Sequence, residues 1–157
     1  MLFVAIPAII AVLGILAVLA IYGVRKYIAT AKTAEARNSV SMIGRDAALA
    51  FEERQKLCAS ASSPVPASVQ HGMKYQSSTS EWTVDEGRDA GFACIKFMMT
   101  MPQYYQYDYQ STGSEMTGIA RGDLTADGVE SRFELQGKVS DGRLLLSPSL
   151  LETDPFE

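Results

Sequence analysis

Oxygen-bearing side chains recur at alternate positions in Asp123-Leu124-Thr125-Ala126-Asp127-Gly128, and Glu134 follows on the next stretch. Hard cations take carboxylate and hydroxyl oxygens at such spacing, so Asp123, Thr125, Asp127 and Glu134 form a candidate Ca²⁺ set. Thr125 departs from the usual third ligand, and the segment lies between strand-like stretches where calcium loops are flanked by helices. Asp-Gly is also the ordinary composition of a hairpin turn, and we favour that reading over the metal.

Other chemistry finds less support. His71 is the only histidine, so any Ser-His-Asp or Cys-His set would depend on a loop residue without supporting motifs. No glycine-rich phosphate loop and no zinc-like Cys/His cluster is present in the sequence. The chain is therefore read as a non-enzyme, with no cofactor beyond the candidate calcium. Tyr104, Tyr105, Tyr107 and Tyr109 lack interleaved basic residues, which favours core and subunit-interface packing over base stacking. Trp82 is read as a core residue. A formal net charge of −4 leaves no electrostatic footprint for a specific nucleic-acid partner.

The two cysteines, Cys58 and Cys94, stand in the polar part of a chain that begins with a membrane-length segment. That places them outside the cytoplasm and favours a disulfide over free thiols. Closing a loop of roughly 37 residues would contribute about 4 kcal/mol in the chain-entropy model.

These groups must be carried by two unlike regions. From Met1 to Val24 there is no charged residue, and Arg25 is the first. About 20 apolar residues suffice to cross a bilayer as a helix. A cleavable signal peptide would have a cationic start and a shorter apolar core, and neither Lys nor Arg precedes this run. A single-pass anchor is the plainer alternative, with Arg25 and Lys26 at the membrane edge. Yet the helical pattern continues: Ile28, Ala31, Val40, Ile43, Ala47 and Phe51 recur on one face, and no proline occurs between Ala8 and Ser63. One helix of roughly 55 residues, apolar all round in its first half and amphipathic in its second, is the economical reading.

The segments Gly14-Ile15-Leu16-Ala17-Val18-Leu19-Ala20-Ile21, Tyr27-Ile28-Ala29 and Ala31-Lys32-Thr33-Ala34-Glu35-Ala36-Arg37 resemble the N-terminal helix of type IV pilins and of the related pseudopilins of type II secretion. In the head, Ser80-Glu81-Trp82, Gly91-Phe92-Ala93-Cys94, Pro102-Gln103-Tyr104-Tyr105 and Gly122-Asp123-Leu124 resemble pilins of deltaproteobacterial and myxobacterial type. The resemblance implies an α+β subunit of an extracellular pilus filament. It implies insertion in the bacterial inner membrane, processing by a prepilin peptidase, and extraction into a helical homopolymer by the pilus assembly machinery. Numbering would start at the mature N-terminus, with Met1 the candidate N-methylated residue. Met1, Phe3, Ala5, Pro7, Gly14, Leu16 and Ile21 would lie in the polymerisation core. Motility and adhesion would be properties of the assembled fibre.

Two departures bear on this resemblance. Ala5 replaces the glutamate usual at that position, and Tyr22-Gly23 stand where a proline is usual. Subunit register would then be set without that carboxylate, and apolar replacement of a buried ion pair is often neutral or stabilising. A type II secretion pseudopilin is the close alternative; a membrane-anchored binding module is the distant one.

The organisation expected is a filament-core half-helix over 1–24, an amphipathic half-helix over 25–57 and a disulfide-containing head over 58–157. Strands are expected at Phe92–Met101, Tyr104–Tyr109, Met116–Leu124, Val129–Lys138 and Arg143–Ser147, forming an antiparallel sheet covered by the helix stripe.

Overall fold

A computed structural model describes the backbone from residue 2 and the side chains from residue 9 onward. The expectations placed on Met1 and on the side chains of Phe3, Ala5 and Pro7 lie outside the described residues. Helix α1 runs unbroken from Leu2 to Arg54, about 80 Å at 1.5 Å per residue. It ends where Gln55 adopts a left-handed conformation, φ 56°. The Gln55 amide donates to Phe51 O at 2.7 Å and its side-chain amide to Glu52 O at 3.1 Å, satisfying carbonyls that the last turn leaves open. The helix thus stops three residues before the expected boundary at Leu57.

The head is an antiparallel sheet of five strands: β1 (Gln106–Ser111), β2 (Glu115–Gly122), β3 (Ser131–Ser140), β4 (Arg143–Leu146) and β5 (Leu151–Thr153). The order is β1-β2-β3-β4. The long strand β3 also pairs with β5 through Arg132–Glu134 and with β4 through Gly137–Ser140. Asp141 and Gly142 both take positive φ, 52° and 73°, as a two-residue hairpin between twisted strands requires.

Helix α1 lies across β2, β3 and β4 and buries Ala36, Val40, Ile43, Ala47, Ala50 and Phe51, the stripe its periodicity dictates. The α+β arrangement is the expected one. The approach is close at two glycines. A Cβ on Gly44 of the helix would sit 2.4 Å from Leu135 Cδ2, and one on Gly118 of β2 would sit 2.9 Å from Ile43 Cγ2.

One expected strand is corrected. Gly91–Ile95 is a short helix, α3, and Phe97–Met101 forms no strand. Alternation would have placed Lys96 on the same face as Phe92 and Cys94. A helical turn buries Phe92, Cys94 and Ile95 together and leaves Lys96 exposed, capped by Lys96 in the left-handed region, φ 61°. A second short helix, α2 (Thr79–Trp82), and strand β5 carry too few residues for a periodic signal. The remaining strands lie within two or three residues of their expected bounds.

Trp82 anchors a cluster beneath these elements. Its ring meets Phe92 edge-on at 5.0 Å and Phe97 at 5.4 Å, and its indole N–H donates to Ser77 Oγ at 2.9 Å. Tyr105, Tyr107 and Tyr109 are fully buried and belong to the core, with Tyr104 partly buried at its edge. Cys58 and Cys94 form the expected disulfide, with Cα atoms 5.9 Å apart and 36 positions between them in sequence. It joins the end of α1 to α3, where a sheet strand was expected.

Candidate functional site: the uncovered half of the helix

Among the described side chains of α1, Thr33 is the first that is buried. From Ile9 to Val24 the large apolar side chains are exposed all round the helix; Leu16 and Ile21, for example, are 55% and 57% exposed. The apolar window of this helix has mean hydropathy 2.0, none of it covered by the head, and is long and apolar enough to cross a membrane. Covering a Val, Leu or Ile side chain stabilises by roughly 1.5–3 kcal/mol. Ten such residues lie between Ile9 and Val24, so leaving them in water forfeits more than the roughly 5–15 kcal/mol net stability of a typical domain. Apolar surroundings such as lipid or other helices would cover them. Gly14 and Gly23 have no atom within 4 Å of a built Cβ, so the head makes no use of them; small residues of this kind let a neighbouring helix approach closely.

Below the head, α1 and two loops border an open groove of about 340 Å³ lined by Tyr27, Ile28, Ala31, Lys32, Glu35, Lys74 and Tyr104. The ring of Tyr104 is approached by two ammonium groups, Lys32 Nζ at 4.6 Å and Lys74 Nζ at 4.9 Å from its centroid. Such cation–π contacts hold charge over an aromatic face. Glu35 Oε1 accepts from the Tyr104 amide at 2.8 Å and from the Tyr107 hydroxyl at 3.2 Å. Burial pushes the Glu35 carboxyl above the ordinary glutamate value, with those donors and Lys74 opposing it. Burial likewise pushes the Tyr105 hydroxyl up to about 12.

In the structure the candidate calcium ligands Asp123, Thr125, Asp127 and Glu134 turn to separate partners. Asp123 is wholly buried and its carboxylate is already occupied. Oδ1 accepts from the Ala126 amide at 2.6 Å and Oδ2 from the Gly128 amide at 2.9 Å, while His71 Nδ1 lies 2.8 Å from Oδ2. The His71 contact and these amides hold the Asp123 carboxyl below the usual aspartate range. Asp127 turns to the Val129 amide, Thr125 donates to Glu157, and Glu134 pairs with Arg132 on β3. Among the described residues no three metal-binding His, Cys, Asp or Glu side chains gather. A carboxylate at the start of a turn satisfies the amides that follow it, which is the role Asp123 plays.

Sequence reasoning named Gly14, Leu16 and Ile21 but missed Lys74, Tyr104 and Glu35 as a group. Lys74 is separated from Lys32 by the whole second half of the helix, and no local spacing brings the two together. Comparison of the chain with protein-family models, curated proteins and solved structures found no match.

Proposed function

We propose that this chain is the structural subunit of an extracellular filament of the type IV pilus kind, polymerising through the first half of α1. The observation that carries the reading is the change of surface along one continuous helix: apolar all round to Val24, then a single stripe buried under the sheet. A helix apolar all round needs apolar surroundings throughout its circumference, and a bundle of like helices at a filament centre supplies them after the bilayer has done so. The inner membrane would hold the subunit before assembly, with a prepilin peptidase and the assembly machinery as partners, and the disulfide suits a head outside the cytoplasm.

A benzophenone amino acid at Ile21, activated in native cells, tests the reading. The expected product is a ladder of covalent multimers of this chain in filaments sheared from the surface. The same ladder confined to the cell envelope would favour a secretion pseudopilin. Adducts with lipid alone would contradict polymerisation and leave a membrane-anchored module.

A further inference from the structure

We propose that the groove between Lys32, Lys74 and Tyr104 binds the phosphate headgroup of an anionic phospholipid while the subunit is still in the membrane. The inference rests on the membrane-inserted stage of the function proposed above.

Position is the first argument. Val24 closes the uncharged span, and Lys32 lies eight residues beyond it, about 12 Å at 1.5 Å per residue. Side chains on a helix tilt toward its N-terminus, which on α1 is the apolar end. The Lys32 ammonium therefore hangs back toward the bilayer surface, where the headgroup layer adds roughly 5–8 Å to each side of the hydrocarbon. Lining residues Tyr27, Ile28, Ala31, Lys32 and Glu35 form one continuous face of the helix leaving the span, so an acyl chain lying along it would bring its headgroup to the groove.

Charge is the second argument. Among the described residues neither Lys32 nor Lys74 has a carboxylate within salt-bridge distance, and the same holds for Arg25 and Lys26 nearer the span. In a chain of net charge −4, Arg25 and Lys26 at the end of the span and Lys32 and Lys74 at the groove complement an anionic surface. Glu35 is the one acid in the lining, and its Oε1 is engaged by Tyr104 and Tyr107 on the head side. Two ammonium groups against one carboxylate leave a net positive groove.

Aromatic surface is the third argument. Tyr22 and Tyr27 are 66% and 76% exposed, and tyrosines concentrate at the membrane–water interface, with an apolar ring and a polar tip. The Tyr104 ring draws both ammonium groups to the groove, 4.6 and 4.9 Å from its centroid.

The test uses the full chain in detergent supplied with equal phosphatidylglycerol and phosphatidylcholine, read by native mass spectrometry. Wild type is expected to retain phosphatidylglycerol preferentially. Lys32→Gln and Lys74→Gln are each expected to reduce that preference about fivefold, since a Lys near an anionic surface contributes about 1 kcal/mol. A charge-matched control, Lys56→Gln, should leave it unchanged. Disulfide formation and the near-ultraviolet signal of Trp82 verify that each variant is folded. Equal retention of both lipids, an equal loss in the control, or displacement by inorganic phosphate alone would overturn the lipid site. Resistance to carbonate extraction from phosphatidylcholine vesicles reports the membrane stage separately. Extraction of the wild type would overturn both readings, whereas retention without lipid preference overturns only this one.

Discussion

Arg37 grips Glu152 with two parallel hydrogen bonds, Nε to Oε1 and Nη2 to Oε2, each 2.8 Å long. The pair joins α1, one turn after the buried Thr33, to β5. It fastens the sheet to the helix close to where the helix leaves the head. Bidentate geometry places such a pair at the upper end of the roughly 0–1 kcal/mol measured for partly exposed ion pairs, after solvent screening.

Glu152→Gln is therefore expected to lower stability of the detergent-solubilised chain by about 0.5–1 kcal/mol in urea. The Arg37 hydrogen bond holds the Glu152 carboxyl below its ordinary value of 4.5. The folded state thus binds this proton less readily than the unfolded state does. The contribution is fully present above that ordinary value and is lost as pH falls through the depressed one. Wild type and variant should converge in acid; a constant gap down to the acid limit would refute the pairing.

Glu35 carries the opposite sign. Burial raises its carboxyl above 4.5, so the folded state holds this proton more tightly, and the group's contribution declines as pH rises from the ordinary value through the raised one. Glu35→Gln keeps an oxygen to accept from Tyr104 and removes the buried charge. It is expected to match or exceed wild-type stability at neutral pH and to flatten the pH dependence in that window, whereas Glu35→Ala should cost about 1–3 kcal/mol by stranding the Tyr104 amide. Equal losses for Gln and Ala at neutral pH would show that the negative charge itself is required.

The disulfide was legible from two cysteines and a membrane-length N-terminus, and the helix stripe from its 3.6-residue period. The strands from residue 104 onward were legible because Tyr105, Tyr107 and Tyr109 alternate inward with polar neighbours. Phe92–Met101 misled because a short run this rich in apolar residues fits either state, and the choice turned on keeping Lys96 in water. The lysine–tyrosine groove was illegible because it joins the helix to two loops through tertiary contacts alone. The calcium spacing was real as spacing, but the amides of its own turn occupy Asp123.

Gly44→Ala tests how closely helix and sheet approach. Ala is favoured over Gly in an exposed helix by about 1 kcal/mol, yet here the added methyl would meet Leu135 at 2.4 Å. A net loss of about 1–3 kcal/mol is expected from overpacking. Thermal unfolding of Gly44→Ala beside Gly44→Ala/Leu135→Ala checks the cause: the second change should relieve part of the first. Unchanged or raised stability in the single variant would mean the sheet can shift at little cost.

Replacing Cys58 and Cys94 together by Ser is expected to cost about 2–4 kcal/mol, since 36 positions separate the two ends of the closed loop. The loss should appear as a lower urea midpoint of the head, with α1 still helical by circular dichroism. An unchanged midpoint would place the stability of α3 in the Trp82 cluster alone.

The central claim is that the uncovered half of α1 is buried by other copies of itself. Helical reconstruction by electron cryomicroscopy of filaments sheared from the native cells, with mass spectrometry of their protein, tests it most directly. The account predicts filaments built from this chain, with α1 helices packed about the axis and Gly14, Leu16 and Ile21 in contact with neighbouring copies. Filaments built from another protein, with this chain monomeric in the membrane fraction, would contradict it.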